Sequence, residues 1–121
     1  MRLIGSKIEQ DIRSELINSH EALFTAKSEK RFLETLERHL PSMVTAYVLN
    51  WIPEQGEDIL TYLVNIDTVA IIEINRVDQS VEPIVEILPL SEYKRGLSKI
   101  KQIKIAVAID LARKDIEAKL N

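Results

Sequence analysis

The residues best suited to chemistry are carboxylates in the middle of the chain. Asp58 precedes one apolar, β-branched segment, and Glu73 lies in the next such segment as Glu73-Ile74-Asn75. Carboxylates on neighbouring strands can hold a divalent cation, which acidifies a bound water and orients it for attack. Asp58 and Glu73 are therefore the best candidates for enzymatic chemistry in this chain.

This arrangement resembles the metal-binding core of PD-(D/E)xK nucleases, in which an acidic residue and an acidic-x-lysine pair lie on adjacent strands. The resemblance implies a divalent-metal nuclease with Asp58 and Glu73 as ligands. The sequence departs from that pattern, because Asn75 stands where the family has lysine and Glu57 where it has proline. A nuclease also needs basic surface near its site, which this segment lacks. The nuclease-like enzyme is therefore the third of three functional interpretations.

Other catalytic chemistries lack suitable residues. The chain has no cysteine, and His20 and His39 are far apart with no second ligand at metal-site spacing, so we expect both on helix surfaces. Its three glycines do not form a phosphate-binding loop. The sequence therefore predicts a protein that is not an enzyme, with no catalytic residues, no metal and no cofactor.

Charge is distributed unevenly along the chain. Residues 1–41 contain seven basic and seven acidic residues, and residues 91–121 contain eight basic and four acidic ones. Residues 42–90 contain Arg76 as the single basic residue, against Glu54, Glu57, Asp58, Asp67, Glu73, Asp78, Glu82 and Glu86. Such a segment should attract a cationic partner and repel nucleic acid, although carboxylates that only solubilise strands and loops would give the same pattern.

An aromatic residue adjoins this acidic region. Trp51, the single tryptophan, ends the first predicted strand beside an acidic turn. It either caps the core or forms an aromatic anchor of the kind found at binding hot spots. The leading hypothesis is a non-enzymatic protein-binding domain whose acidic sheet and loop surface engages a basic protein, most concretely an immunity or inhibitor protein that neutralises a toxin such as a nuclease. The predicted partner-binding residues are Trp51, Glu54, Glu57, Asp58, Asp78 and Glu82.

The first segment, residues 1–41, has helical periodicity. Ser6 and Glu9 have the spacing of a capping box, which predicts a helix start. Ser28 can cap a second stretch, which Pro41 ends because proline cannot continue the helical hydrogen bonds. Asn18-Ser19 is a candidate interruption, and the pattern is compatible with one helix or with two.

Residues 42–90 contain four strand-like segments joined by short connections, which predicts an antiparallel meander. Both faces of the third segment are apolar, so either helices cover both faces or one face meets a second copy. A homodimeric structural or adaptor domain is therefore the second hypothesis. Pro83 and Pro89 bracket the fourth segment and suit an edge strand. The predicted strands are Met43 to Ile52, Ile59 to Ile66, Val69 to Asn75 and Ile84 to Leu88.

Residues 91–121 return to helical composition. The stretch from Ile103 to Ala112 is apolar on nearly every side, which predicts a long buried helix, and Ile116 and Leu120 are its expected inward residues near the end. The chain is 45% hydrophobic and 29% charged, as is typical of globular proteins. We therefore expect one α+β domain spanning 1–121. The lack of cysteine, of a signal-like segment and of a long apolar run predicts a cytoplasmic protein with no membrane contact.

Overall fold

The computed structural model describes residues 2–120 and confirms the predicted α+β architecture. Helices at both ends of the chain flank a four-stranded antiparallel sheet. The elements are helix α1 (Lys7–Thr25), a 3-10 helix (Lys27–Glu29), helix α2 (Lys30–His39), strands β1 (Ala46–Glu54), β2 (Glu57–Val64), β3 (Thr68–Asn75) and β4 (Ile84–Pro89), the short helix α3 (Leu90–Tyr93) and helix α4 (Lys99–Leu120).

The amino-terminal segment forms two helices. The Ser6 hydroxyl accepts a hydrogen bond from the Glu9 backbone N–H, and the Glu9 carboxylate accepts from the Ile4 and Gly5 N–H groups, which confirms the predicted helix start. The chain breaks at Ala26, so the expected interruption at Asn18-Ser19 is wrong. The predicted Ser28 cap is also wrong, because α2 follows directly from the 3-10 turn without a side-chain cap.

The strands form a meander in the order β1-β2-β3-β4, with every neighbouring pair antiparallel. The outer strands β1 and β4 contain Pro53 and Pro89, where a missing N–H need not break a ladder bond. The register of β1 shifts between Val48 and Asn50, which marks a β-bulge. Because a bulge adds one residue to the strand, it reverses the faces toward which the following side chains point.

Helices pack on both faces of the sheet, which explains the apolar residues on both faces of β3. On one face, here called the α4 face, α4 and the first half of α1 bury strand residues such as Leu63 and Val69. On the other, here called the α2 face, α2 and the end of α1 bury Tyr62 and Ile72. Helix α1 contacts β1, α2 and α4 and so connects the two layers.

Helical cover of the α4 face ends partway along the strands. Tyr93 of α3 packs on the core of this face, and Thr61, in the middle of β2, is still buried. The next row across the sheet, toward the β1–β2 turn, pairs Ile52 with Ile59, Ile59 with Glu73 and Glu73 with Ile84. Ile52 and Ile84 are 43% and 63% exposed, so this row lies largely open to solvent.

Helix α4 is buried through its middle, as the sequence predicts. Val107, Ala108 and Ala112 are fully buried against α1 and the sheet. Leu120 is 82% exposed, so its expected inward position is wrong, because the helix has run past the core by that point. Within residues 2–120, no helix has the length and apolarity needed to cross a membrane.

Asn65 offers a test of how the β2–β3 turn positions the sheet. Its φ is 55°, and its side-chain oxygen accepts hydrogen bonds from the Val44 and Thr45 N–H groups at 2.8 and 3.3 Å. Asn65→Ala should lower the free energy of unfolding by about 2–3 kcal/mol, because it removes these bonds and places a less tolerant residue at positive φ.

Asn65→Gly is the matched control, since glycine loses the same hydrogen bonds but accepts positive φ freely. It should be about 1 kcal/mol more stable than Asn65→Ala in urea unfolding. Equal stabilities of the two variants would contradict the conformational part of this explanation.

Candidate functional site

The uncovered part of the α4 face combines exposed apolar side chains with carboxylates. Glu54 pairs with Glu57 across the β1–β2 turn, in which Gly56 has a φ of 81°. We call this surface the acidic patch. It consists of Ile52, Glu54, Glu57, Ile59, Glu73, Ile84 and Glu86, which the strand register places on one face.

The glutamates of the acidic patch repel one another. A hydrogen bond with Glu57 and the charges of Glu57 and Glu54 raise the pKa of Glu73 above its ordinary value, and partial desolvation adds to the shift. Within residues 2–120, no salt bridge reaches any of the four glutamates of the patch. None of these glutamates is therefore neutralised by an ion pair within the part of the chain that the structure describes.

Two of the predicted partner-binding residues lie on the other side of the sheet. Trp51 pairs with Leu60 on the α2 face, where its indole N–H donates to Asp58 at 3.1 Å. Arg76 lies 3.5 Å from the same carboxylate oxygen. The structure thus brings Trp51 and Asp58 together, but separates them from Glu54 and Glu57 by the thickness of the sheet.

The register also separates the two carboxylates of the nuclease-like interpretation. Asp58 pairs with Ile74, whereas Glu73 pairs with Ile59. Since consecutive residues of a strand point to opposite faces, Asp58 lies on the α2 face and Glu73 on the α4 face. The two side chains do not form a joint site, and among residues 2–120 no group of three or more potential ligands could hold a metal ion.

Asp78 and Glu82 lie in the loop between β3 and β4, at the same end of the sheet as the β1–β2 turn. The Asp78 carboxylate accepts from the hydroxyl and the N–H of Ser80 at 2.6 and 2.9 Å, and these bonds lower its pKa. Arg31 of α2 donates to the carbonyl oxygens of Asn75, Gln79 and Val81. Asp78 therefore has a local structural role, and α2 holds the loop in place.

A groove opens on the α2 face beside Trp51. It has a volume of about 480 Å³ and lies between α1, the 3-10 helix, α2 and the strands β1 and β2. Its lining includes Glu29, Phe32, Trp51, Asp58 and Tyr62. Burial raises the pKa of Glu29, and the charge of Asp58 raises it further. We call this feature the Trp51 groove.

Sequence reasoning missed a buried polar network that includes a histidine. His20 stacks on Tyr47 with ring centres 4.6 Å apart, and its Nδ1 lies 2.9 Å from the Ala46 carbonyl oxygen. Thr45 and Tyr47 both donate to the Asp115 carboxylate, and burial raises the pKa of Tyr47.

The expected surface position is therefore wrong for His20, which is half-buried, and correct for His39, which is exposed. The local pattern around His20 carries no signal for the network, because the other members of the network are residues 45–47 around the start of β1 and Asp115 on α4. The same contacts tie these three elements together.

The raised pKa of Glu73 predicts how stability changes with pH. Folding favours the protonated form of this carboxyl, so its charged form lowers the free energy of unfolding. This loss of stability appears as pH rises from the unfolded-state pKa of Glu73 through its raised folded-state pKa. Glu73→Gln should therefore raise the free energy of unfolding at pH 7, and the gain should fade near pH 4.

Glu117→Gln is the charge-matched control, because Glu117 is exposed near the end of α4 and belongs to neither the sheet nor the acidic patch. Urea unfolding of both variants and the wild type across this pH range measures the difference. A Glu73→Gln protein no more stable than Glu117→Gln at pH 7 would argue against repulsion within the acidic patch.

The chain was compared with protein-family models, with curated proteins and with solved structures, and none of the three comparisons gives a match. Fold alone does not specify function, since one architecture can host unrelated activities. The positions, charges and exposures of the site residues therefore carry the functional proposal.

Proposed function

We propose that this chain is a non-enzymatic protein-binding domain whose acidic patch docks against a basic protein. One observation carries the proposal. The helical cover of the α4 face stops at the middle of the strands, and the open remainder presents Ile52 and Ile84 among four glutamates. Exposed apolar side chains grouped with charges of one sign are typical of a surface that a complementary partner covers.

Electrostatics favour a cationic partner over solvent at this patch. Glu54, Glu57 and Glu73 are close enough to raise the pKa of Glu73, so their charges cost free energy in the unbound protein. A partner's arginine or lysine side chains would relieve that repulsion and form charge-assisted hydrogen bonds. A negative surface also accelerates encounter with a positive one, most strongly at low ionic strength.

The apolar residues of the patch supply a different contribution. Ile52 and Ile84 lie on the outer strands, with the half-buried Ile59 in the same row between them. Apolar area removed from water contributes about 25 cal/mol per Å², so isoleucines under a partner would slow dissociation while the glutamates speed association. This combination suits tight inhibition of a basic protein, and an immunity or inhibitor protein acting on a toxin such as a nuclease is the concrete form of the proposal.

A second copy of the chain fits this surface less well. Symmetric pairing through the acidic patch would bring the same glutamates of two chains together, and like charges across an interface oppose association. The apolar composition of both faces of β3, which motivated the dimer hypothesis, is accounted for by helices on both faces. A basic partner is therefore the better-supported occupant.

Charge reversal within the patch tests the proposal. Wild-type protein and a Glu54→Lys/Glu57→Lys variant serve as baits in pull-downs from host lysate at low and moderate salt, with bound proteins identified by mass spectrometry. The wild type should retain a basic protein that the variant loses, and the association rate of that protein at low salt should fall about tenfold or more.

Glu21→Lys/Glu37→Lys provides the matched control, because both residues are exposed on the amino-terminal helices and the change in net charge is identical. It should retain the partner at close to the wild-type rate. Equal loss of binding in both double variants would mean that net charge, and not the acidic patch, attracts the partner. Capture of only the chain itself would favour self-association.

A further inference from the structure

The Trp51 groove is a second feature, on the opposite face of the sheet from the acidic patch. Its lining carries three carboxylates, Glu15, Glu29 and Asp58, and Trp51, which is 57% exposed. The indole N–H donates to Asp58, which fixes the ring beside the carboxylate. A carboxylate adjoining an exposed tryptophan face is a setting that attracts organic cations, through charge and through the ring's electron density.

A buried hydroxyl provides an independent sign of a ligand. Tyr62 is 0% exposed, lines the groove, and its hydroxyl has no hydrogen-bond partner within the described part of the chain. Leaving such a group unpaired in the interior is unfavourable, because it loses its hydrogen bonds to water without replacing them. The Tyr62 hydroxyl can accept a hydrogen bond from an N–H donor bound in the groove.

The basic residues around the groove are paired with carboxylates other than Glu29. Lys104 also lines the groove, but it lies 3.5 Å from Glu15 and is paired there. Arg76 likewise lies 3.5 Å from Asp58 and is paired with it, while no salt bridge to Glu29 is found within residues 2–120. The space near Glu29, Asp58 and Tyr62 therefore remains net acidic.

We propose that the Trp51 groove binds a guanidinium or alkylammonium group, held by Asp58 and Glu29, covered by the Trp51 ring and hydrogen-bonded to the Tyr62 hydroxyl. Such a group satisfies each feature of the site, since it supplies positive charge, N–H donors and a flat or compact shape that packs on indole. The groove volume of about 480 Å³ exceeds what this group alone fills, so it has room for an attached alkyl chain. This site is separate from the acidic patch and does not depend on the proposed function.

Trp51 is the single tryptophan of the chain, so its fluorescence reports directly on the groove. The experiment titrates the protein with n-butylguanidinium and, in parallel, with n-butylurea, a neutral molecule of nearly the same shape, at constant ionic strength. A saturable change in emission with n-butylguanidinium and none with n-butylurea is the expected result. Identical responses to the two compounds would overturn the proposal.

Variants assign the binding to particular groups. Asp58→Asn should weaken binding of n-butylguanidinium about tenfold through loss of a charge-assisted pair, and Tyr62→Phe should weaken it about threefold to tenfold through loss of one hydrogen bond. Glu117→Gln, an exposed residue of α4 that does not line the groove, is the control and should bind as the wild type does. Wild-type affinity in both Asp58→Asn and Tyr62→Phe would also overturn the proposal.

Stability separates a ligand-binding role of Tyr62 from a structural one. Because its hydroxyl is unpaired, Tyr62→Phe should unfold at the same urea concentration as the wild type or a higher one. A destabilised variant with unchanged affinity would show that the hydroxyl serves the fold alone.

The tripeptide acetyl-Gly-Arg-Gly-amide distinguishes the source of the cation. Binding equal to that of n-butylguanidinium indicates a polypeptide side chain, and binding of n-butylguanidinium alone indicates a free small molecule.

Discussion

The structure depends on covering both faces of one small antiparallel sheet with only a few helices. Strands β2 and β3 carry fully buried side chains on each face, so each face must pack against a helical layer. Helix α1 makes this arrangement stable, because it contacts β1 and joins α4 on one side to α2 on the other. The contacts of His20 and Asp115 with β1 hold α1, α4 and β1 together.

The limited helical cover leaves one part of the sheet exposed, and this part is the proposed binding surface. Helices α3 and α4 reach only to the middle of the strands, so the rest of the α4 face is open. A bare apolar sheet face would promote self-association, and glutamates there oppose it by mutual repulsion. The same glutamates make the surface selective for positive charge. In the proposed function, the acidic patch therefore both protects the free protein and selects a basic partner.

The element types could be predicted from the sequence because they follow from local patterns. A period of two, short polar connections and prolines beside the last strand predict an antiparallel meander, which the structure confirms. The excess of acidic residues in the sheet segment is likewise visible in the sequence. These features depend on neighbours in the chain and require no knowledge of tertiary contacts.

The grouping of the site residues could not be predicted, because it depends on register. Simple alternation would place Trp51 on the same face as Tyr47 and Leu49, but the bulge after Val48 reverses it and moves Trp51 to the α2 face. The pairing of β2 with β3 similarly separates Asp58 from Glu73. No sequence signal marked either the bulge or the buried contacts of His20.

The most direct test of the central claim measures the electrostatic potential at the isoleucine methyl groups, without any partner. Cationic and anionic nitroxide cosolutes are added in turn, and the paramagnetic relaxation of each methyl group is recorded by NMR. Ile52 and Ile84 should relax faster with the cationic probe, whereas Ile100, which lies between Lys99 and Lys101 and is 50% exposed, should not. Protection of Ile52 and Ile84 from both probes, or an equal response to the two, would contradict an open acidic patch.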